Sequence, residues 1–176
     1  MISKTLNNNY IICLLALFIL LLLPVDCTRH NIIDPFWNIN LKWDKKILTE
    51  KLNEYSHKGQ IENCVFSFEK TTYIKNNDFD ARIWSSLNYP VFHNNELESL
   101  NYSLVVEFYH EEIQKFNTDF YRFFKLKMTK IYGNDFTENT KNDRIYLTWK
   151  IENNITVHAT ILKDINYYII KIDTVK

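Results

Sequence analysis

Between Asp143 and Lys176 the apolar positions fall on every second residue, three times in succession. Ile145, Leu147, Trp149 and Ile151 alternate with Tyr146, Thr148 and Lys150. Ile155, Val157, Ala159 and Ile161 alternate with Thr156, His158 and Thr160, and Tyr168, Ile170 and Ile172 with Tyr167, Ile169 and Lys171. A period of two is that of a half-buried strand, so the stretch predicts three antiparallel strands joined by tight turns. Register follows from keeping both apolar faces on one side. A two-residue loop at Asn153-Asn154 would set Trp149 against His158. A three-residue loop, Glu152-Asn153-Asn154 with Asn154 left-handed, sets Trp149 against Val157, Leu147 against Ala159 and Ile145 against Ile161. The second turn, within Lys163 to Asn166, sets Ile161 against Tyr168, Ala159 against Ile170 and Val157 against Ile172. One face is then continuously apolar and has to be covered.

The cover is expected from the helical period that precedes it. Wound at about 100° per residue, Ile113, Phe116, Phe120, Phe123, Phe124 and Ile131 share a broad face, with Met128 and Tyr132 at its edge. Arg122, Lys125 and Thr129 point away, while Lys127 lies inside the apolar face and has to snorkel. Gly133 ends this helix as a left-handed cap, and Gly59 ends an earlier one that starts at the N-cap Asp44 and carries Leu48, Leu52 and Tyr55. Glu54 and Lys58 form a favourable pair on it. Cys64 to Ile74 is expected as one strand with Cys64, Phe66 and Phe68 on one face. Asn76 to Asp80 is expected as a turn, Phe79 to Ile83 as a short strand, Leu87 to Asn95 as loop and Ser103 to Tyr109 as a strand. The predicted fold is a single α+β domain over residues 44–176. In it an antiparallel sheet of about five strands is packed on one face by the Phe-rich helix and ends in the three-stranded meander.

Residues 1–27 have the layout of an export signal: Lys4 in a polar start, an uncharged run from Tyr10 to Leu23, then Pro24, Asp26 and Cys27. The run falls short of the roughly 20 apolar residues of a membrane span, and its apolar side chains surround the whole circumference. Any membrane association is therefore expected through this segment alone. Residues 28–43 lack periodicity and contain Pro35; they read as a tether or an extended segment whose Phe36 and Trp37 dock on the domain.

The 176 residues carry 21 basic and 21 acidic side chains, well mixed, so no basic stripe points to nucleic acid. Twelve Phe and eleven Tyr stand against two Gly. Of three cysteines, Cys13 lies in the signal. Cys64 is left alone if Cys27 is acylated or removed, and the expectation is then a free, buried thiol.

Cys27 just past the apolar run resembles the acylated cysteine of bacterial lipoproteins, although Asp26 stands where that family has a small uncharged residue. Ordinary cleavage leaving Thr28 as the first residue is the alternative. From Phe124 onward, the order of helix, Tyr132-Gly133, polar loop, Trp-bearing strand, hairpin and last strand with Tyr167-Tyr168 resembles small exported bacterial domains of unknown function. Those often carry Tyr-Gly-x-Pro where this chain has Asn134-Asp135. The resemblance implies a small α+β domain with an envelope address and transfers no catalytic residue.

Candidate chemistry is sparse. Glu107 and His110 have Glu-x-x-His spacing, but Gln114 stands where a second histidine would complete a zinc helix. Asn76, Asp78 and Asp80 open like a calcium loop that then fails at Ala81 and Leu87. Cys64 with a histidine would need a pKa-lowering environment that nothing in the pattern supplies. No metal or cofactor is expected. The register places His158 on the polar sheet face with Lys171, Thr148 and Tyr146, a potential binding patch, against the ordinary reading of a solvated outer face. The function expected is a non-catalytic exported or envelope-anchored module that binds a protein or surface partner; the alternative is a small secreted hydrolase using His158 or His110.

Overall fold

The computed structural model describes residues 32–109, 116–151 and 154–174. Nine antiparallel strands form one sheet: β1 (Glu62–Cys64), β2 (Ser67–Lys75), β3 (Asp80–Asn88), β4 (Val91–His93), β5 (Glu96–Phe108), β6 (Phe136–Lys141), β7 (Arg144–Ile151), β8 (Ile155–Leu162) and β9 (Tyr167–Thr174). The strand order is β1-β2-β3-β5-β9-β8-β7-β6, with β4 folded back beside β5. Two α-helices, α1 (Lys45–His57) and α2 (Thr118–Tyr132), and a 3-10 turn at Lys163–Ile165 complete the described elements. The expected α+β fold with about five strands is thereby corrected to a mainly antiparallel β fold, nine strands with two helices.

Two meanders make the sheet. The chain lays down β1 to β5, passes through α2 to the far edge, and returns through β6, β7 and β8 until β9 pairs with β5 from Ser99↔Asp173 to Val105↔Tyr167. In the second meander the register is the one that the apolar alternation demands: Trp149↔Val157, Leu147↔Ala159, Ile161↔Tyr168 and Val157↔Ile172. Residues 152 and 153 of the β7–β8 loop, on which the expected left-handed Asn154 depends, lie outside the described residues.

The inner face is buried across β3, β5, β9, β8 and β7. Leu87, Leu100, Leu104, Tyr168, Ile170, Ile172, Val157, Ile161 and Trp149 have no exposed surface. Phe120 and Phe124 of α2 lie on Tyr168 at ring separations of 5.3 and 4.9 Å, so the helix covers the sheet as expected. Its buried stripe is turned relative to the wheel, however: Tyr121, Met128 and Tyr132 are buried, while Ile131 is exposed. Lys127 does snorkel, its ammonium 5.1 Å from the Phe36 ring. The helix begins at Asn117, whose side chain accepts from the Phe120 amide at 2.7 Å, and stops at Gly133. There φ +89° and ψ 172° describe a conformation open essentially to glycine alone. Helix α1 is capped by Asp44, which accepts from the Ile47 amide at 2.8 Å. None of the described helices is long and apolar enough to cross a membrane.

The sequence reading of Cys64 to Ile74 is corrected too. The chain turns at Val65-Phe66, with Cys64 paired to Ser67, so Cys64 and Phe66 are exposed and only Phe68 of the expected apolar face is buried. Residues 32–44 pack into the domain, burying Ile32, Trp37, Ile39 and Leu41, and Phe36 stacks on Phe124 at 5.6 Å.

Candidate binding face

Cross-strand partners share a face, so the register alone lays out the outer side of the sheet. One row runs Asn101, Lys171, His158, Thr148, Thr137 across five strands. The next runs Glu69, Ser86, Ser103, Ile169, Thr160, Tyr146, Asn139. All four residues of the patch expected from sequence therefore lie together. His158 is opposite Thr148, with Nδ1 and Oγ1 3.1 Å apart, and its other neighbour is Lys171. Lys171 is ion-paired to Asp173 at 2.7 Å, and Tyr146 is exposed one row away. Thr148 touches the His158 ring where a catalytic site would need a carboxylate to orient it, so the group can donate and accept hydrogen bonds without being set up as a general base.

The outer face also holds side chains that the sequence reading did not place. Trp84, 41 % exposed, carries the Arg82 guanidinium at 3.6 Å over its ring, and Tyr73 lies across the same guanidinium at 5.9 Å. The alternation of Arg82, Trp84 and Ser86 with Ala81, Ile83, Ser85 and Leu87 carries this arrangement in the sequence, provided β3 is extended past Ile83. Above β2, β3 and β5 the face sinks into a groove of about 450 Å³ bordered by Gln60, Glu62, Glu69, Trp84, Ser86 and Ser103. Lys70 also lines it, but its ammonium donates to the Phe36 carbonyl and lies by the Trp37 ring.

A second cluster lies inside. Asp34 has no exposed surface. One carboxylate oxygen accepts from the amides of Trp37 at 2.6 Å and Phe36 at 3.1 Å, and the other accepts from the hydroxyls of Tyr102 at 2.5 Å and Tyr132 at 3.5 Å. Burial raises its pKa above 3.8 in spite of these bonds. Lys70 donates to the Phe36 carbonyl and sits 4.4 Å from the Trp37 ring; burial brings it down to about 8, with Asp34 pulling the other way. Both carboxylate oxygens of Asp34 are occupied by these bonds. Its chemistry is that of a polar staple joining the 32–44 loop, β5 and α2.

The remaining candidates do not assemble. His110 lies outside the described residues, as do Ile113, Gln114 and Cys27. Asn76 makes an Asx turn to the amides of Asp78 and Phe79, and Asp80 pairs with Lys75 at 3.7 Å. No group of three or more His, Cys, Asp or Glu placed to hold a metal ion occurs among the described residues. His57 is engaged with the Asn53 carbonyl and His158 with Thr148, so neither is paired with Cys64. Comparison of the chain with known family models, with curated proteins and with solved structures finds no match.

Proposed function

We propose that this protein is an exported, non-catalytic module that engages a protein or surface partner through the outer face of its sheet. The observation that carries the reading is the asymmetry of the two faces. The inner face of β3, β5, β9, β8 and β7 is committed to the core, whereas the outer one presents Trp84, Val105, Tyr146 and Ile169 exposed among Asn, Ser, Thr, His and Lys side chains. Exposed aromatic groups within a hydrogen-bonding surroundings on a rigid sheet are what an interface uses. Export is supported by the layout of residues 1–27, with anchoring through Cys27 or release after it as the two forms. The hydrolase alternative has only His158 to draw on among the described residues, and its Thr148 contact supplies no acid–base partner.

The test is capture from the envelope fraction of the native host by the wild-type chain and by a His158→Ala/Lys171→Ala variant. A partner held by the first and lost by the second supports the reading; equal capture by both removes the patch from it. Intact-mass measurement of the mature protein distinguishes an acylated Cys27 from a Thr28 start, and an unprocessed Met1 would overturn export by signal cleavage.

A further inference from the structure

The β1–β2 hairpin breaks two local rules at once. Its two-residue turn is Val65-Phe66, and neither residue has the positive φ that the twist-matched two-residue turns require. Both side chains stand in solvent, 80 % and 82 % exposed, although the turn could be built from polar residues. Three residues from the turn, Glu62 and Glu69 are directly opposite each other, a like-charge pair that costs stability, and neither forms an ion pair among the described residues. The hairpin is nonetheless held firmly: the Tyr89 hydroxyl donates to Asn63 Oδ1 at 2.8 Å, and its ring packs on Phe68 at 5.0 Å. Local choices that oppose stability, gathered on one braced element, mark a surface kept for contact.

We infer that the groove beside this hairpin takes a basic side chain from an extended segment of a protein partner, while Val65 and Phe66 cover an apolar residue next to it. This rests on the binding-module reading of the outer face and names the partner's chemistry. The carboxylates of Glu62 and Glu69, without an ion-pair partner among the described residues, supply the charge complementarity. Trp84 offers an aromatic surface for the aliphatic stem, and Ser86 and Ser103 on the groove floor offer hydroxyls to the partner's backbone. A bilayer with anionic headgroups is disfavoured by the same two carboxylates, and a second copy would bring four of them together.

The experiment is an NMR titration of the full chain with a blocked acetyl-Gly-Leu-Lys-Leu-Gly-amide peptide, following the Trp84 indole and the Ser86 and Ser103 amides. The lysine peptide is expected to shift all three signals, its norleucine counterpart to bind about tenfold or more weakly, and Glu62→Gln/Glu69→Gln to lose the difference between them. The same variant should melt at the same or a higher temperature, because the like-charge pair is gone, so loss of binding is not loss of fold. Glu69→Lys should reverse the preference toward a glutamate peptide. Absence of shifts at about 1 mM peptide, equal binding of the norleucine peptide, or binding unaltered in the Gln variant overturns the inference. So does sedimentation showing a dimer dispersed by Phe66→Ser. Peptide binding that persists in His158→Ala/Lys171→Ala is expected, which separates failure of the groove from failure of the patch.

Discussion

Asparagine does in this chain what glycine does in most. Among the described residues, six non-glycine residues have positive φ, and all are Asn or Asp: Asn38, Asn94, Asn95, Asn142, Asp143 and Asn166. Only two glycines are present, at the two helix ends. These asparagines thus have a structural role, because Asn tolerates the left-handed region better than other residues with a Cβ. Asn166 shows how far one such residue reaches: its left-handed backbone closes the β8–β9 turn, and its side chain accepts from the Asn117 amide at the start of α2. Asp34 is the other decisive single residue. Asp34→Ala leaves two amides and two tyrosine hydroxyls without their acceptor, and urea denaturation should show a loss of about 3 kcal/mol or more. Its pH signature follows from the raised pKa. The folded protein holds this proton more tightly than the unfolded chain, so the stability it costs is absent below pH 3.8 and grows as pH climbs through the folded value. Wild type should therefore lose stability relative to Asp34→Asn over that rise. Lys70 has the opposite sense: its proton is held less tightly when folded, and stability is gained between about 8 and 10.5. Without Asp34 the Lys70 pKa should drop further, which a side-chain NMR titration reads directly.

At the level of elements, long alternating runs were legible and short polar ones were not. β7, β8 and β9 each bury every second residue, and a half-buried strand writes itself into the sequence. β6 is an edge strand with nothing fully buried, so Thr137, Glu138 and Asn139 carry no period to read. Its signal was in the turn. Asn142-Asp143, both left-handed between Lys141 and Arg144, is a two-residue hairpin turn and requires a strand on each side; Asn94-Asn95 announces β4 and the early start of β5 in the same way. The β1–β2 turn has no such signal, which is why Cys64 and Phe66 were assigned to a buried face. The Asn-Asp turn can be improved: Asp143→Gly matches the strongest hairpin dipeptide, and urea denaturation should show a gain of about 0.5–1 kcal/mol, the relief of left-handed strain less the added entropy of the unfolded glycine. No gain, or a loss, would mean that the Asp143 side chain makes a contact worth more than the backbone strain.

The described strands form one sheet whose two halves are distant in sequence and pair with each other where β9 meets β5. Hydrogen exchange should therefore be slowest in β3, β5, β9 and β8, and fastest in β1 and β6, each paired on one side only among the described residues. Uniform protection across all strands would contradict this order. Both candidate sites belong to this scale. The His158 patch was legible because Thr148, His158 and Lys171 lie on consecutive strands whose register the apolar alternation dictates. The groove needs β1, β2, β3 and β5 to be neighbours, and no local period carries that. What the sequence determined by itself was which residues face the core within each regular strand and helix, since burial of alternate side chains is a local pattern. What only the tertiary structure decided was which strands lie side by side, where the chain reverses without a turn residue, and that Asp34 meets Tyr102 and Tyr132. Those depend on packing between segments far apart in the chain, where the energy of a contact leaves no mark on its neighbours in sequence.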